Sequence, residues 1–182
     1  VRLLLALLGR DCEIVDVEDS SAEIASARAG GRLPFGKAPV LELDDGQLLP
    51  ESNAILCWLG EGTRFMPADA FSRAQMLSWM FWEQNQHEGT VAVRGALLYY
   101  PPRRHLATPE RMAELLEKGH ANLQIMEDRL AGHDWLAGDA VSLADICLYG
   151  YTHTAGSRGG FEMGRFAGIG RWLARIAALP GY

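Results

Sequence analysis

The sequence predicts two successive units, a small α/β unit over residues 1–62 and an all-helical unit over residues 69–182, joined by a linker at 63–68. Three observations carry this prediction. Strand-like alternation occurs only ahead of residue 62, where Val40-Leu41-Glu42-Leu43 runs into Asp45-Gly46, a strong hairpin signal. Thr63-Arg64-Phe65-Met66-Pro67-Ala68 interrupts regular patterning. Beyond it the long runs all have helical spacing.

Each element follows from local chemistry. Val1, Leu4, Leu5 and Leu8 share one helical face, and Gly9 stands where a helix ends. Cys12 to Glu18 alternates apolar and acidic residues over its second half, the pattern of a strand covered on one face. Asp19-Ser20-Ser21 is a capping cluster for a helix over Ala22–Ala29, closed by Gly30-Gly31. After the hairpin, with Gln47-Leu48-Leu49 as its return strand, Ser52 reads as the N-cap of a helix from Asn53 to about Glu61. The order is helix, strand, helix, hairpin, helix, an α/β unit without a strand ahead of its first helix.

In the second unit a long helix runs from Asp69 to about Tyr100, with a bend expected at Gly89-Thr90-Val91 and a stop at Pro101-Pro102. Thr108-Pro109 starts a helix that reaches Ala131. Ser142-Leu143-Ala144-Asp145 resembles a capping box, with Asp in the place of Glu or Gln, and opens a helix to about Thr154. Gly156 to Gly160 reads as a loop. A last helix covers about Ala167 to Leu179, with Ile169, Trp172, Leu173 and Ile176 on one face.

Composition narrows the function. The chain has 182 residues, 48% hydrophobic and 22% charged, with 17 Lys+Arg against 23 Asp+Glu. Disorder is excluded as its main state. The net charge of -6 lacks the basic footprint of nucleic-acid binding, so no nucleic-acid partner is expected. Cys12, Cys57 and Cys147 are widely spaced and form no CxxC or His/Cys cluster, which points to a reducing, cytoplasmic setting and to no metal. The apolar opening is too short for a signal peptide and is followed too soon by Arg10-Asp11; no run is long enough to span a membrane. There is no initiator Met, so the sequence is expected to begin inside the natural chain.

The most informative stretch surrounds the hairpin. Pro39 stands at a strand entrance, and a cis bond there would turn the backbone N–H and C=O of the preceding Ala38 outward, offering an edge to an extended peptide. Lys37 is placed to pair with a carboxylate of that peptide. Ser52 brings a hydroxyl and a helix N-terminus, which suit an α-carboxylate, and Glu51 suits the neighbouring ammonium. Each residue taken alone has a common structural role. Their order around one hairpin points to a ligand with a zwitterionic amino-acid head.

Gly36-Lys37-Ala38-Pro39, Glu51-Ser52-Asn53-Ala54-Ile55 and Ser142-Leu143-Ala144-Asp145 resemble, in that order, three motifs of the glutathione transferase family: its cis-proline segment, its γ-glutamyl site and its C-domain capping motif. Trp82 to Glu88 and Trp172-Leu173-Ala174-Arg175 are also similar to bacterial members. The resemblance covers nearly the whole chain. It implies a thioredoxin-like N-terminal domain, here without its first strand, before an all-helical C-terminal domain. It implies glutathione as co-substrate, with the Ala38 backbone on its cysteinyl part, Lys37 on its glycyl carboxylate, and Glu51 and Ser52 on its γ-glutamyl head, beside Pro39. It further implies a homodimer and a small hydrophobic electrophile as second substrate.

Two departures stand out. Ala38 replaces a usual Val, where backbone atoms make the contact. The family's thiol-activating Ser, Tyr or Cys precedes the first helix, so it is expected ahead of Val1 and no residue here takes that role. A free thiol has a pKa of about 8.5, and lowering it by about 2 units needs roughly 2.7 kcal/mol of thiolate stabilisation. The first helix's N-terminus contributes about 0.3–1 kcal/mol of this. A non-catalytic glutathione-binding or dimerisation module, and a glutathione-dependent disulfide or peroxide reductase, are the alternatives.

The remaining candidates read as structural. Cys57, Cys12 and Cys147 are expected as small buried hydrophobes. His87 is expected as a hydrogen-bonded core residue, and the run Met76 to Trp82 as core or subunit interface. Asp145 is expected to bond the backbone at Ser142.

Overall fold

The computed structural model describes residues 1–16 and 21–182. Its contacts divide the chain into Val1–Thr63 with Pro180–Tyr182, and Arg64–Leu179.

In the first unit α1 (Arg2–Leu7) buries Leu4, Leu5 and Leu7, and Gly9 at φ 61 turns the chain out of it. Residues 10–16 adopt no regular structure. The strand expected over 12–18 is absent from its described part, because a strand exists only by pairing and none of the described residues ladders with this segment. Its last residues Val17 and Glu18, and the capping residues Asp19 and Ser20, lie outside the described residues. Ser21 caps α2 (Ala22–Ala29) by accepting the Ile24 N–H at 3.2 Å.

Strands β1 (Val40–Glu42) and β2 (Leu48–Pro50) form a two-stranded antiparallel sheet, with Val40 opposite Pro50 and Glu42 opposite Leu48. The turn is closed by Gly46 N–H to Leu43 O at 2.8 Å and Leu43 N–H to Gln47 O at 2.9 Å, with Gly46 at φ 83. That is a type I turn followed by a left-handed residue, which an Asp-Gly pair favours. Helix α3 (Ser52–Gly60) buries Ile55, Leu56 and Leu59 and packs on α1 and the hairpin. Gly181, at φ 91, sits where an added Cβ would lie 2.9 Å from the Ala6 carbonyl oxygen, so the chain end approaches α1 as only glycine permits.

The second unit opens with Phe65, fully buried, whose carbonyl accepts the Leu143 N–H at 2.9 Å. Asp69 caps α4 (Ala70–Trp82) at the Ser72 N–H. The helix then widens into a π-helix over Glu83–Ala92 before α5 (Val93–Tyr99) resumes. The bend expected at Gly89-Thr90-Val91 is therefore part of a longer wide-turned segment. Its Gln86 carbonyl accepts from Thr90 Oγ1 at 2.9 Å and from Asn122 Nδ2 at 3.1 Å, so side chains hold the altered turn.

A 3₁₀ turn at Pro101–Leu106 leads to α6 (Pro109–Gly132), capped by Thr108. Helix α7 (Leu143–Thr152) starts at a Ser142–Asp145 capping box. Gly156 to Gly160 is not a loop: α8 (Ala155–Gly159) forms there and Gly160 at φ 68 ends it. Its glycines are used for close packing, since a Cβ on Gly159 would meet the Phe161 ring at 2.8 Å. Helix α9 (Ala167–Ala177) buries Ile169, Trp172 and Ile176, and its Gly168 and Ile169 N–H groups donate to Glu127 of α6 at 2.8 and 2.9 Å.

Candidate functional site

The two motifs read around the hairpin adjoin the end of its ladder: the last pair is Val40 opposite Pro50, so Pro39 precedes one member of that pair and Glu51 follows the other. The Ala38–Pro39 peptide bond is cis. Lys37, Ala38, Pro39 and Glu51 are exposed and Ser52 is half-buried, so the group is open to a ligand. The preceding turn is fastened by Arg28 Nε donating to the Gly36 carbonyl at 2.8 Å.

One sequence expectation changes at this site. Ser52 is the first helical residue of α3, and Glu51 is the N-cap. The reason is backbone conformation: Glu51 has φ 72 and ψ 118, outside the helical region, while its carbonyl accepts the Ile55 N–H at 2.9 Å. Glu51 is the one non-glycine with positive φ among the described residues. Such a conformation costs on the order of 1–3 kcal/mol and persists at sites that need a particular backbone direction. No residue type at this position signals it in the sequence. The Glu51 side chain makes no cap hydrogen bond to α3, whose first turn carries the positive end of the helix dipole.

The cysteines are set by their surroundings. Cys57 is half-buried, and burial together with the negative charge of Glu61 raises its pKa, which disfavours a nucleophilic thiolate. Cys147 is buried and donates to Glu83 Oε2 at 3.3 Å. Cys12 is exposed rather than a core residue, as are Ile14 and Val15, because the segment has no neighbouring strand to cover it.

His87 is fully buried in the second unit, with Nε2 3.0 Å from Thr152 Oγ1. Thr152 donates its own hydroxyl proton to the Leu148 carbonyl at 2.7 Å, so His87 donates from Nε2 and Nδ1 holds the lone pair. Burial lowers its pKa to about 4, leaving a neutral core imidazole at pH 7. Met76 and Met80 are buried while Phe71 and Phe81 stand 73% and 71% exposed, which divides α4 into a core face and a bare aromatic face.

Asp145 exceeds its expected capping role. It accepts from Ser142 N–H at 2.9 Å, Ser142 Oγ at 3.1 Å, Leu136 N–H at 3.0 Å and Trp172 Nε1 at 2.9 Å. Burial raises its pKa and these donors oppose the rise. Among the described residues no group of three or more His, Cys, Asp or Glu is placed to hold a metal ion, and no helix is long and apolar enough to cross a membrane.

The chain is similar to known proteins over most of its length. Residues 1–61 match the family described as glutathione S-transferase, N-terminal domain, and residues 90–180 match glutathione S-transferase, C-terminal domain. The chain is 37% identical over 146 residues to glutathione S-transferase F14 of Arabidopsis thaliana, an alignment covering 76% of this chain and 57% of that protein, little more than half its length. It is 27% identical to the disulfide-bond oxidoreductase YfcG of Escherichia coli (strain K12), over 81% of this chain and 70% of that one. Among solved structures, a glutathione S-transferase from Pseudomonas fluorescens [Pf-5] aligns with all of this chain and 89% of its own at 38% identity, with a TM-score of 0.93.

Proposed function

The chain belongs to the glutathione transferase family, and from that premise we propose that it binds glutathione at the open end of its hairpin and conjugates the thiolate to small hydrophobic electrophiles, a detoxification chemistry. The observation that supports this reading is the Val40–Pro50 pair, which has Pro39 next to one member and Glu51 next to the other, with the Ala38–Pro39 bond cis. An extended tripeptide lies along the Ala38 backbone. Its glycyl carboxylate meets Lys37, its γ-glutamyl carboxylate meets the Ser52 hydroxyl and the uncapped start of α3, and its ammonium meets Glu51.

Activation of the thiol requires roughly 2.7 kcal/mol of thiolate stabilisation, the difference between an ordinary thiol and one titrating about 2 units lower. Conjugation then needs the thiolate held in line with the electrophile, whose leaving group or double bond accepts the electron pair. A homodimer belongs to the same reading, and the bare Phe71 and Phe81 on α4 support it by leaving aromatic surface for a second copy. So does a reducing, cytoplasmic setting, in keeping with three cysteines that form no disulfide. No metal enters the chemistry proposed.

A second reading, glutathione-dependent disulfide reduction, is favoured by the similarity to the oxidoreductase YfcG. Calorimetric titration of glutathione into the wild-type chain and into Glu51→Ala and Ser52→Ala, with thiolate absorbance followed against pH, tests the proposal. Binding in the micromolar to millimolar range, weakened about tenfold or more by each substitution, is the expected result. Absence of binding refutes the site. Binding with an unshifted thiol leaves a non-catalytic glutathione-binding module, and turnover of a mixed disulfide but not of an aryl halide selects the reductase.

A further inference from the structure

We propose that the cleft between the last turn of α6, the loop at 133–139 and α9 binds a small zwitterionic ligand of the amino-acid or dipeptide class. The cleft is open to solvent and has a volume of about 460 Å³, within the range of small-molecule sites. It lies wholly in the second unit and uses none of the residues assigned to glutathione.

Its walls are held in place by the protein alone. Arg129 Nε donates to the carbonyls of Trp135 and Leu136 at 3.2 and 3.1 Å, and its Nη2 to that of Gly138 at 3.1 Å. The Leu136 N–H is held by Asp145. Arg175 grips the Asp134 carbonyl at 3.0 Å and its carboxylate at 2.6 Å, and lies over the Trp135 ring at 5.5 Å. The loop is thus ordered before any ligand arrives, which removes an entropic cost from binding. Gly132 and Gly138 leave room and bare backbone along the lining, and a Cβ on either would meet nothing within 4 Å.

The signs of charge select the ligand. The last turn of α6 presents carbonyls and the negative pole of its dipole, and Asp139 is also on the lining. Arg171, on the same lining, commits one donor, weakly, to the Leu130 carbonyl of that turn at 3.4 Å, out of the five that a guanidinium carries. The start of α9 is no rival anion site, because Glu127 already occupies the Gly168 and Ile169 N–H groups. A lone anion meets Asp134, Asp139 and the end of α6. A lone cation meets Arg171 and Arg175. A molecule with a carboxylate for Arg171 and an ammonium for Asp139 satisfies both signs of charge on the lining.

The test is an NMR titration of the full chain with glycylglycine, reading the amide signals of Gly132, Gly138 and Gly168, with N-acetylglycine and glycinamide as single-charge controls. Saturable shifts with a millimolar Kd are expected, about tenfold weaker in Arg171→Gln and in Asp139→Asn and about tenfold weaker for each control. Both substituted side chains are exposed, so unchanged signals elsewhere verify the fold. Absence of saturable shifts overturns the proposal, as does unchanged affinity in either variant, or a control that binds as tightly as glycylglycine.

Discussion

Lowering the pH from 7 to 5 should destabilise this protein chiefly through His87, with His120, its pKa also lowered by burial, acting in the same direction in wild type and variant alike. The unfolded imidazole takes up a proton near the ordinary value of 6.5, whereas the buried one does so only at about 4. Between those values the unfolded state binds more protons, so stability is fully present above about pH 6.5 and is lost as the pH falls towards 4. At 1.36 kcal/mol per unit the whole window is worth about 3 kcal/mol, and about 2 kcal/mol of it is gone by pH 5. That is a large share of a typical domain stability of about 5–15 kcal/mol. The physical origin is burial: the ring sits among packed side chains with Nε2 donating to Thr152, and Nδ1 meets no hydrogen-bond partner among the described residues. Urea denaturation at pH 7 and pH 5, on wild type and on His87→Gln, isolates this contribution. The variant is less stable throughout, because an amide cannot fill the imidazole's place, but its loss between the two pH values is smaller by about 2 kcal/mol. Asp145, raised by burial, contributes with the opposite sign in the carboxylate range, and it is common to both proteins, so it cancels in the difference. Equal pH dependence in the two proteins would refute the reasoning.

Other expectations concern packing and polar satisfaction. Asp145→Ala strands four buried donors from Ser142, Leu136 and Trp172 and should cost about 3 kcal/mol or more, measured by denaturant midpoint; a loss under 1 kcal/mol would show that water replaces the carboxylate. Gly119→Ala places a methyl 2.5 Å from the Phe161 ring, whose other edge already abuts Gly159, so overpacking of about 1–3 kcal/mol outweighs the gain in helix propensity of about 1 kcal/mol. Gly150→Ala, inside α7 with nothing within 4 Å, should instead raise the melting temperature by a few degrees. If both alanine variants shift the melting temperature in the same direction, the packing argument is wrong.

Most of the fold is legible because caps and turns act within four residues of the chain. Ser21, Asp69, Thr108-Pro109 and Ser142 with Asp145 each mark a helix start where the structure has one, and Asp45-Gly46 marks the hairpin. The motif positions of the candidate site are legible too, since the hairpin that unites them is itself a local signal. What the tertiary structure alone decides depends on partners far away in sequence. The π-helix over Glu83–Ala92 is held by Asn122, the start of α9 by Glu127, and Phe65 by Leu143. The glycine-rich stretch at 155–159 is helical because Phe161 and α5 pack closely on it, where local propensity favours a loop. Cys12 is exposed because alternation cannot make a strand without a neighbour. Glu51 takes a positive φ because the end of β2 and the start of α3 must meet at that residue, and no property of a glutamate foretells it. Sequence thus determines where elements begin and which faces they bury; the packed fold determines which backbone directions and buried polar partners those elements must accept, because both arise only when distant segments compete for the same space.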